Sequence, residues 1–521
     1  MNKDNDSTMI FNIYNEGQLN VASDSSTINA TQNNKQDSGK EEPSDIYKKI
    51  KKIENLNKRS EFEKAKELLF DLETNNLSAE QEFLKDLYLG ECYIFPAQDC
   101  KENNKKELLQ KGFLCLKDAK KNWQNQKDEY IYYFYHLYIN VCLQLAELEK
   151  RIDYYIMGIE LYNKGILDTK KRDFSDPERY RLLLDYALLL DGASKYSKGK
   201  EAKDYLIEES NCYYTIFTLE ELMNKGIDEE SAYRYFVNAG RCFEQLLEFS
   251  DEDSDQLADS AVEFYKNALD PRLVSLNKFP DRYGMVYNNL GNVYSRIISR
   301  GKSTVTFEMA RDCYDKAWKA YDNIKDMQKC LECRSNKARL LISNYKKRGT
   351  KKGYEEIEDL LKSIIQERKN IDDIYGSYLS NLQLAQLYFD AGVKNSDGCM
   401  LQKSMSICSD VLDYYTKEYV PDLYFKTLYC RYRASSSLAE MQKDITVVKK
   451  NIEEILDVLQ KNKGDLSENL VLLNADLVQK LFFIYVELNE CGEEKLEEVY
   501  IKIKTVFNKI DLNIEDYIEK I

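Results

Sequence analysis

Histidine, proline and glycine are scarce in this chain of 521 residues, which holds one histidine, six prolines and 20 glycines. So few helix-breaking residues over such a length favour long helices. The single histidine, His136, lies in an aromatic run that is typical of a buried helix. A catalytic Ser–His or Cys–His pair would have to use it, and no nearby serine or cysteine has the sequence context of a nucleophile. P-loop, G-x-G-x-x-G and H-E-x-x-H motifs are also missing. We therefore expect a helical protein that is not an enzyme and uses no cofactor.

Long apolar stretches are missing as well, since no stretch approaches the ~20 residues that a transmembrane helix needs. The N-terminus lacks the apolar core of a secretory signal. The 13 cysteines are scattered at helical positions, as suits reduced thiols in the cytoplasm. Cys330 and Cys333 form a C-x-x-C motif without a second pair, so we expect no metal site. A net charge of −15 disfavours nucleic acid and anionic membranes as partners.

The clearest pattern lies in residues 281–322, where two amphipathic helices flank a polar loop. The first helix carries three large residues and one small residue, at Tyr287, Leu290, Gly291 and Tyr294. The second carries a small–aromatic–small spacing, at Ala310, Tyr314 and Ala317. Gly291 and Ala310 have almost no side chain, so the two helices can approach closely. Tyr294 and Tyr314 would then fill the space around that contact.

Similar first-helix spacings recur along the chain, at Leu89, Gly90 and Tyr93; at Phe236, Ala239, Gly240 and Phe243; and more weakly at Leu384, Ala385 and Tyr388. This recurrence resembles the tetratricopeptide repeat, which opens with W-x2-L-G-x2-Y, and Tyr287 stands in place of Trp in the clearest copy. The resemblance implies an all-α fold, a right-handed α-solenoid of helix pairs over residues 44–521. It also implies a concave groove, lined by the first helix of each pair, that binds peptides.

Seven polar residues would line this groove: six at family positions carried over where the motif matches, and Arg339 on an intervening first helix whose signature is poor. They are Asn238, Arg241, Asn288, Asn292, Ser295, Arg339 and Gln386. Asparagine and arginine can bond a peptide backbone or a carboxylate, which suits a partner-binding surface. An ordinary polar inner face is the alternative. Two charged runs, 248–255 and 346–352, fall between predicted helices, where we expect solvated loops.

Residues 1–43 differ in composition from the rest, being rich in Asn, Ser, Asp and Gln. Short alternating runs within residues 9–34 predict small strands, because apolar and polar residues alternate between turn residues. Their apolar positions are Phe11, Ile13, Leu19, Val21 and Ile28. Strands this short cannot form a core within one chain, so we expect self-association or docking on a partner. A polar tail is the alternative.

The N-terminal segment also resembles a short Asn-rich motif at the start of some bacterial conflict and anti-phage defence proteins. With the solenoid, this resemblance implies a non-catalytic scaffold that senses a foreign protein or holds an effector enzyme. A cytoplasmic peptide-sensing regulator is the alternative, although no DNA-binding helix-turn-helix is evident in the first forty residues. An enzyme whose nucleophile the sequence does not reveal is a third class.

Overall fold

Helices make up nearly all of the regular structure that can be described. A computed structural model describes residues 45–72, 77–122, 128–169, 176–214, 219–224, 226–249, 254–300, 305–462, 464, 466, 468–488 and 493–518. These residues form twenty-one α-helices and one short 3-10 helix, without a strand among them. The all-α class is thus confirmed for the described residues. The predicted strands of residues 9–34 lie outside them.

The helices follow one another with short connections. In chain order they are α1 Asp45–Lys58, α2 Phe62–Phe70, α3 Ala79–Ala97, α4 Glu102–Lys121, α5 Asp128–Glu149, α6 Ile152–Thr169, α7 Asp176–Tyr196, α8 Gly199–Tyr214, α9 Leu219–Asn224, α10 Glu229–Leu246, α11 Ser254–Ala268, α12 Pro280–Ser299, α13 Phe307–Asn323, α14 Met327–Arg348, α15 Lys351–Asn370, α16 Ile374–Asn395, α17 Gly398–Tyr414, α18 Pro421–Gln442, α19 Ile445–Lys461, α20 Glu468–Leu488 and α21 Glu493–Lys509. The 3-10 helix, Ile514–Asp516, follows α21.

Two compact units divide the chain, Met1–Ser275 and Leu276–Ile521. The first unit contains α1 to α11 and the second contains α12 to α21. Within each unit most helices pack against their neighbours in the chain, and several next-but-one helices also touch, including α14 with α16 and α16 with α18. Contacts between near neighbours are what stacked helical repeats produce. One continuous repeat array over residues 44–521 stays a prediction.

The predicted close approach of the paired helices is present in both units. In the second unit, a Cβ atom added to Gly291 of α12 would lie 2.7 Å from the Tyr314 ring of α13. In the first unit, a Cβ added to Gly240 of α10 would lie 2.7 Å from the Tyr265 ring of α11. Each aromatic ring therefore occupies the space that a side chain would need. Glycine at these positions sets how closely the two helices of a pair can pack.

Polar side chains begin many of the helices. Thr306 and Asp373 accept hydrogen bonds from backbone amides in the first turn of α13 and α16, at Met309 and Gly376. Such caps satisfy donors that the helix itself leaves unpaired. The aromatic helix α5 is largely buried, as its sequence predicts. None of the described helices is long and apolar enough to cross a bilayer.

Candidate partner-binding face

The first helices of successive pairs lie side by side in the second unit. Contacts join α12 to α14, α14 to α16, α16 to α18 and α18 to α20. Five of the predicted groove residues belong to this row: Asn288, Asn292, Ser295, Arg339 and Gln386. Asn238 and Arg241 lie on α10 in the first unit, so the prediction spreads over both units.

The three predicted residues on α12 already have partners within the unit. Asn288 is only 8% exposed, and its Oδ1 accepts a hydrogen bond of 3.1 Å from Nδ2 of Asn336 on α14. The Tyr314 hydroxyl donates to Asn292 Oδ1 at 3.0 Å and lies 3.1 Å from Ser295 Oγ. These side chains link α12 to both neighbouring helices. Their role in partner binding stays a prediction, and much of their hydrogen-bonding capacity is used internally.

The predicted residues on α14 and α16 differ in their surroundings. Arg339 is exposed and makes no ion pair with the residues that the structure describes. Gln386 Oε1 accepts a hydrogen bond of 3.2 Å from Nη1 of Arg433 on α18. The Arg433 guanidinium also lies 4.2 Å from the centre of the Phe389 ring, a cation–π distance. Arg433 therefore lies against α16, a placement that the spacing of residues along the sequence does not indicate.

An apolar row runs along the side of α16 that faces away from the buried core of the unit. We name it the α16 stripe, and it consists of Tyr375, Leu379, Leu382, Gln386, Phe389 and Val393. Tyr375 and Val393 are each 48% exposed and Leu379 is 39% exposed. The core of the unit is served by a different side of the helix, where Leu384 and Leu387 are buried. Three of the six side chains are thus exposed, although the Tyr375 ring contacts that of Tyr415 and Arg433 covers part of the row.

Basic side chains lie on both sides of the α16 stripe. Asp390 on α16 is 7% exposed. Burial raises its pKa, while a hydrogen bond from Gln386 and the charges of Lys346 and Arg433 act in the opposite direction. Lys346 on α14 and Arg433 on α18 are therefore both close enough to influence one carboxyl group on the helix between them. The charged run 346–352 predicts a loop at Lys346, but Lys346 lies in the last turn of α14.

Arg241 in the first unit is engaged by buried acids. Its Nη2 lies 2.8 Å from Asp191 Oδ2, and Lys195 Nζ lies 2.9 Å from the same oxygen. Glu209 is 1% exposed, and its pKa is raised well above the usual value by burial and by the nearby charge of Asp191. Burial also tends to raise the pKa of Asp191, but the two cations outweigh it and the net pKa is lowered. Arg241 therefore compensates buried negative charge between α7, α8 and α10.

The histidine and the C-x-x-C cysteines, which were considered for catalysis or metal binding, take part in hydrogen bonding and packing. His136 Nδ1 is 2.6 Å from Asp185 Oδ2, and its ring stacks on Tyr132. Cys330 and Cys333 are buried beside Tyr321 in a small hydrophobic cluster, and burial raises the pKa of Cys330 to about 11. Within the described part of the chain, no group of three or more His, Cys, Asp or Glu side chains could hold a metal ion.

Known proteins add little to this picture. No protein-family model matches the chain, and no curated protein matches it. Among solved structures, the chain is similar to one titled "Circular tandem repeat protein with novel repeat topology and enhanced subunit contact surfaces". The similarity has 14% identity and a TM-score of 0.18, over 89% of this chain and 95% of that chain. A TM-score this low carries no argument, so the assignment of helical pairs rests on the geometry described above.

Proposed function

We propose that this chain is a non-catalytic scaffold that binds a protein or peptide partner through the α16 stripe and the side chains flanking it. The exposure of this apolar row is the observation that carries the proposal. Exposed apolar patches rimmed by polar residues mark interaction sites on folded proteins. The neighbouring basic and amide side chains supply donors for a peptide backbone or carboxylates.

The absence of enzymatic activity is part of this proposal. His136 is held by Asp185 and Tyr132, and the buried C-x-x-C cysteines carry raised pKa values that disfavour the reactive thiolate. The tetratricopeptide-like winding of the helix pairs into a right-handed solenoid also belongs to the proposal. Its support is the repeated glycine–aromatic contact between the two helices of a pair.

We further propose a role in bacterial defence against phage, as a cytoplasmic sensor or an adaptor for an effector enzyme. The support is the resemblance of the Asn-rich N-terminal segment to those of such proteins. A reading frame for a nuclease, protease or NADase beside this gene would favour this role. A neighbouring DNA-binding protein would instead favour the peptide-sensing regulator.

Site-specific photocross-linking tests the binding face. A photoreactive phenylalanine analogue at position 382 should capture a partner in cells of the source organism. The same analogue at position 501, where Ile501 is 54% exposed on α21, serves as the control. We expect the partner to cross-link from position 382 only, and to be lost when Leu379→Asp and Val393→Asp are combined. Equal capture from position 501, or capture that survives the double substitution, would contradict the proposed face.

A further inference from the structure

We infer that the partner bound at the α16 stripe presents an amphipathic helix with a heptad apolar seam and acidic flanks. This inference rests on the proposed function and gives the partner a defined chemistry. Three features of the α16 stripe support it: its spacing, its exposure, and the charges beside it.

The spacing of the α16 stripe is that of a coiled-coil seam. Its six positions, 375, 379, 382, 386, 389 and 393, are separated by alternating steps of four and three residues. Such a repeat keeps side chains on one line along a helix and matches the a and d positions of a partner helix. The helix α16 has 22 residues, which at ~1.5 Å per residue offers a seam of about 33 Å. A partner helix of about three heptads would fit along it.

Basic side chains on the two neighbouring helices repeat with the same seven-residue spacing as this seam. Arg339 and Lys346 lie one heptad apart on α14, and Lys426 and Arg433 lie one heptad apart on α18. Lys346 and Arg433 both act on Asp390, and the helices that carry them each contact α16, so these two cations lie beside α16. In coiled coils, charges beside the seam set partner choice. Since the flanks here are basic, complementary flanks on the partner are acidic.

The side chains named beside the seam are basic, whereas the chain as a whole is acidic. The chain carries a net charge of −15, so a basic border on an apolar row is a local reversal of its charge. Three acidic groups lie nearby: Glu332 is one heptad before Arg339 on α14, Glu440 is one heptad after Arg433 on α18, and Asp390 is buried on α16. The basic border therefore lies beside the middle turns of α16, between these two glutamates. We expect the acidic flanks of the partner to be concentrated there.

A polar residue interrupts the apolar row near its centre. Gln386 is held by Arg433, whose guanidinium also covers the Phe389 ring. A single polar residue in a coiled-coil seam fixes register at some cost in stability. A partner helix with an asparagine or glutamine opposite Gln386 satisfies this site. A partner with leucine there leaves the buried amide without its full set of hydrogen bonds.

Fluorescence anisotropy with two synthetic peptides tests the inference on the full chain. Both peptides have about three heptads with leucine at a and d and one central asparagine. The acidic peptide has glutamate at the flanking positions, and the basic peptide has lysine there. We expect the acidic peptide to bind at least about tenfold more tightly, and its affinity to fall as salt rises from about 0.05 to about 0.5 M. Equal binding of the two peptides would overturn the inference.

Charge reversal on the protein provides the matched test. Arg339→Glu combined with Lys346→Glu should weaken the acidic peptide at least about tenfold and strengthen the basic peptide. Lys504→Glu, at an exposed position of α21, is the control and should change neither affinity. Both substituted positions in the double variant are exposed, so the helical circular dichroism signal should be unchanged. Unchanged affinities in the double variant would overturn the inference.

The outcomes separate this inference from the proposed function. If Leu379→Asp with Val393→Asp abolishes capture of the cellular partner while the two peptides bind alike, the face stands and the acidic helix is wrong. If the double aspartate variant binds the acidic peptide as tightly as wild type, the face itself is wrong. A second copy of this chain would be the occupant if the wild-type protein dimerises and this variant does not. That result would also overturn the inference.

Discussion

Gly291 lies where α12 crosses α13, and its missing side chain is what allows the Tyr314 ring to rest on the helix backbone. A Cβ there would meet three atoms of that ring at 2.7–2.9 Å. Gly353, in the first turn of α15, differs because an added Cβ would meet only Thr350 Oγ1, at 3.5 Å. Substitutions at the two positions can therefore distinguish the steric role of glycine from its low helix propensity.

We expect Gly291→Leu to lower the free energy of unfolding by about 1–3 kcal/mol or more, because the ring must move to admit the side chain. Gly353→Ala should leave it unchanged or raise it by up to about 1 kcal/mol, since alanine favours the helix. Chemical denaturation gives the free energies, and hydrogen exchange should localise the loss to α12 and α13. If Gly291→Leu unfolds like wild type, Gly291 does not lie at a close helix crossing.

Glu91 is a carboxyl group buried between α1, α3 and α5. It is 4% exposed and accepts hydrogen bonds from Asn57 and Tyr133, and Cys92 in turn donates to Asn57. Burial raises its pKa to about 7, and the hydrogen bonds only partly oppose that shift. The folded protein therefore holds this proton more tightly than the unfolded chain does. Stability from this group is fully present below the ordinary pKa of 4.5 and is lost as pH rises to about 7.

We expect Glu91→Gln to remove this pH dependence, because glutamine keeps an acceptor for Asn57 and Tyr133 without a charge. The wild-type free energy of unfolding should fall relative to the variant by up to about 3 kcal/mol between acid and neutral pH. Denaturation curves at a series of pH values measure the difference, with Glu63→Gln as the exposed control. A wild-type curve parallel to that of Glu91→Gln would show that Glu91 has no raised pKa.

At the scale of helices, Arg241 links three elements because its charge interacts with two buried acids on the other two. Asp191 comes from α7 and Glu209 from α8, while Arg241 comes from α10. Without Arg241, Asp191 keeps only Lys195 as a cation, so more of the cost of burying its carboxylate is left uncompensated. This contact explains why an arginine at a predicted groove position is only 28% exposed.

We expect Arg241→Ala to destabilise the first unit by about 2–3 kcal/mol, less than for a fully buried pair because the arginine is partly exposed. Arg272→Ala is the matched control in the same unit. Arg272 pairs with Asp270 and Glu220 on the surface and should matter little. Adding Asp191→Asn to Arg241→Ala should restore part of the loss, which a double-mutant cycle measures. Full stability of Arg241→Ala would mean that the buried acids need no cation.

The helix pairs were predictable because their signal is local. Spacing along one helix fixes which residues share a side, and a glycine opposite an aromatic residue indicates a close crossing. The sequence accordingly predicted two helices within residues 281–322, and α12 and α13 match them closely. What covers a given side depends on residues far along the chain. Asn336, from a helix with a poor repeat signature, lies over Asn288 and could not be inferred from spacing.

The α16 stripe was missed for a related reason. Apolar residues in a helix are taken as core residues, and α16 has enough of them to serve two sides at once. Leu384 and Leu387 face the core, while Leu379 and Phe389 belong to a second apolar row in heptad register. The signal that would have revealed it is this double row. A helix needs only one apolar side to pack in a repeat.

At the scale of the whole molecule, the N-terminal segment stays a prediction from its sequence. Phe11, Ile13, Leu19, Val21 and Ile28 lie outside the described residues. The alternating runs that contain them predict strands too short to form a core alone, so their edges and apolar sides require other copies or a partner. Asparagine and glutamine ladders between copies would add to such an assembly. We therefore expect this segment to control the state of association.

Removal of residues before Pro43 should lower the solution mass of the particle by more than the deleted residues, as light scattering measures. Ile13→Asp combined with Val21→Asp should have the same effect, because charges would then be buried between copies. Asp24→Asn with Asp37→Asn is a control that changes charge without touching the apolar positions. If the full chain, the shortened chain and the aspartate variant are all monomers with the same cross-linked partners, the segment is a polar tail. The proposal of a defence role, which depends on the resemblance of this segment, would then lose its support.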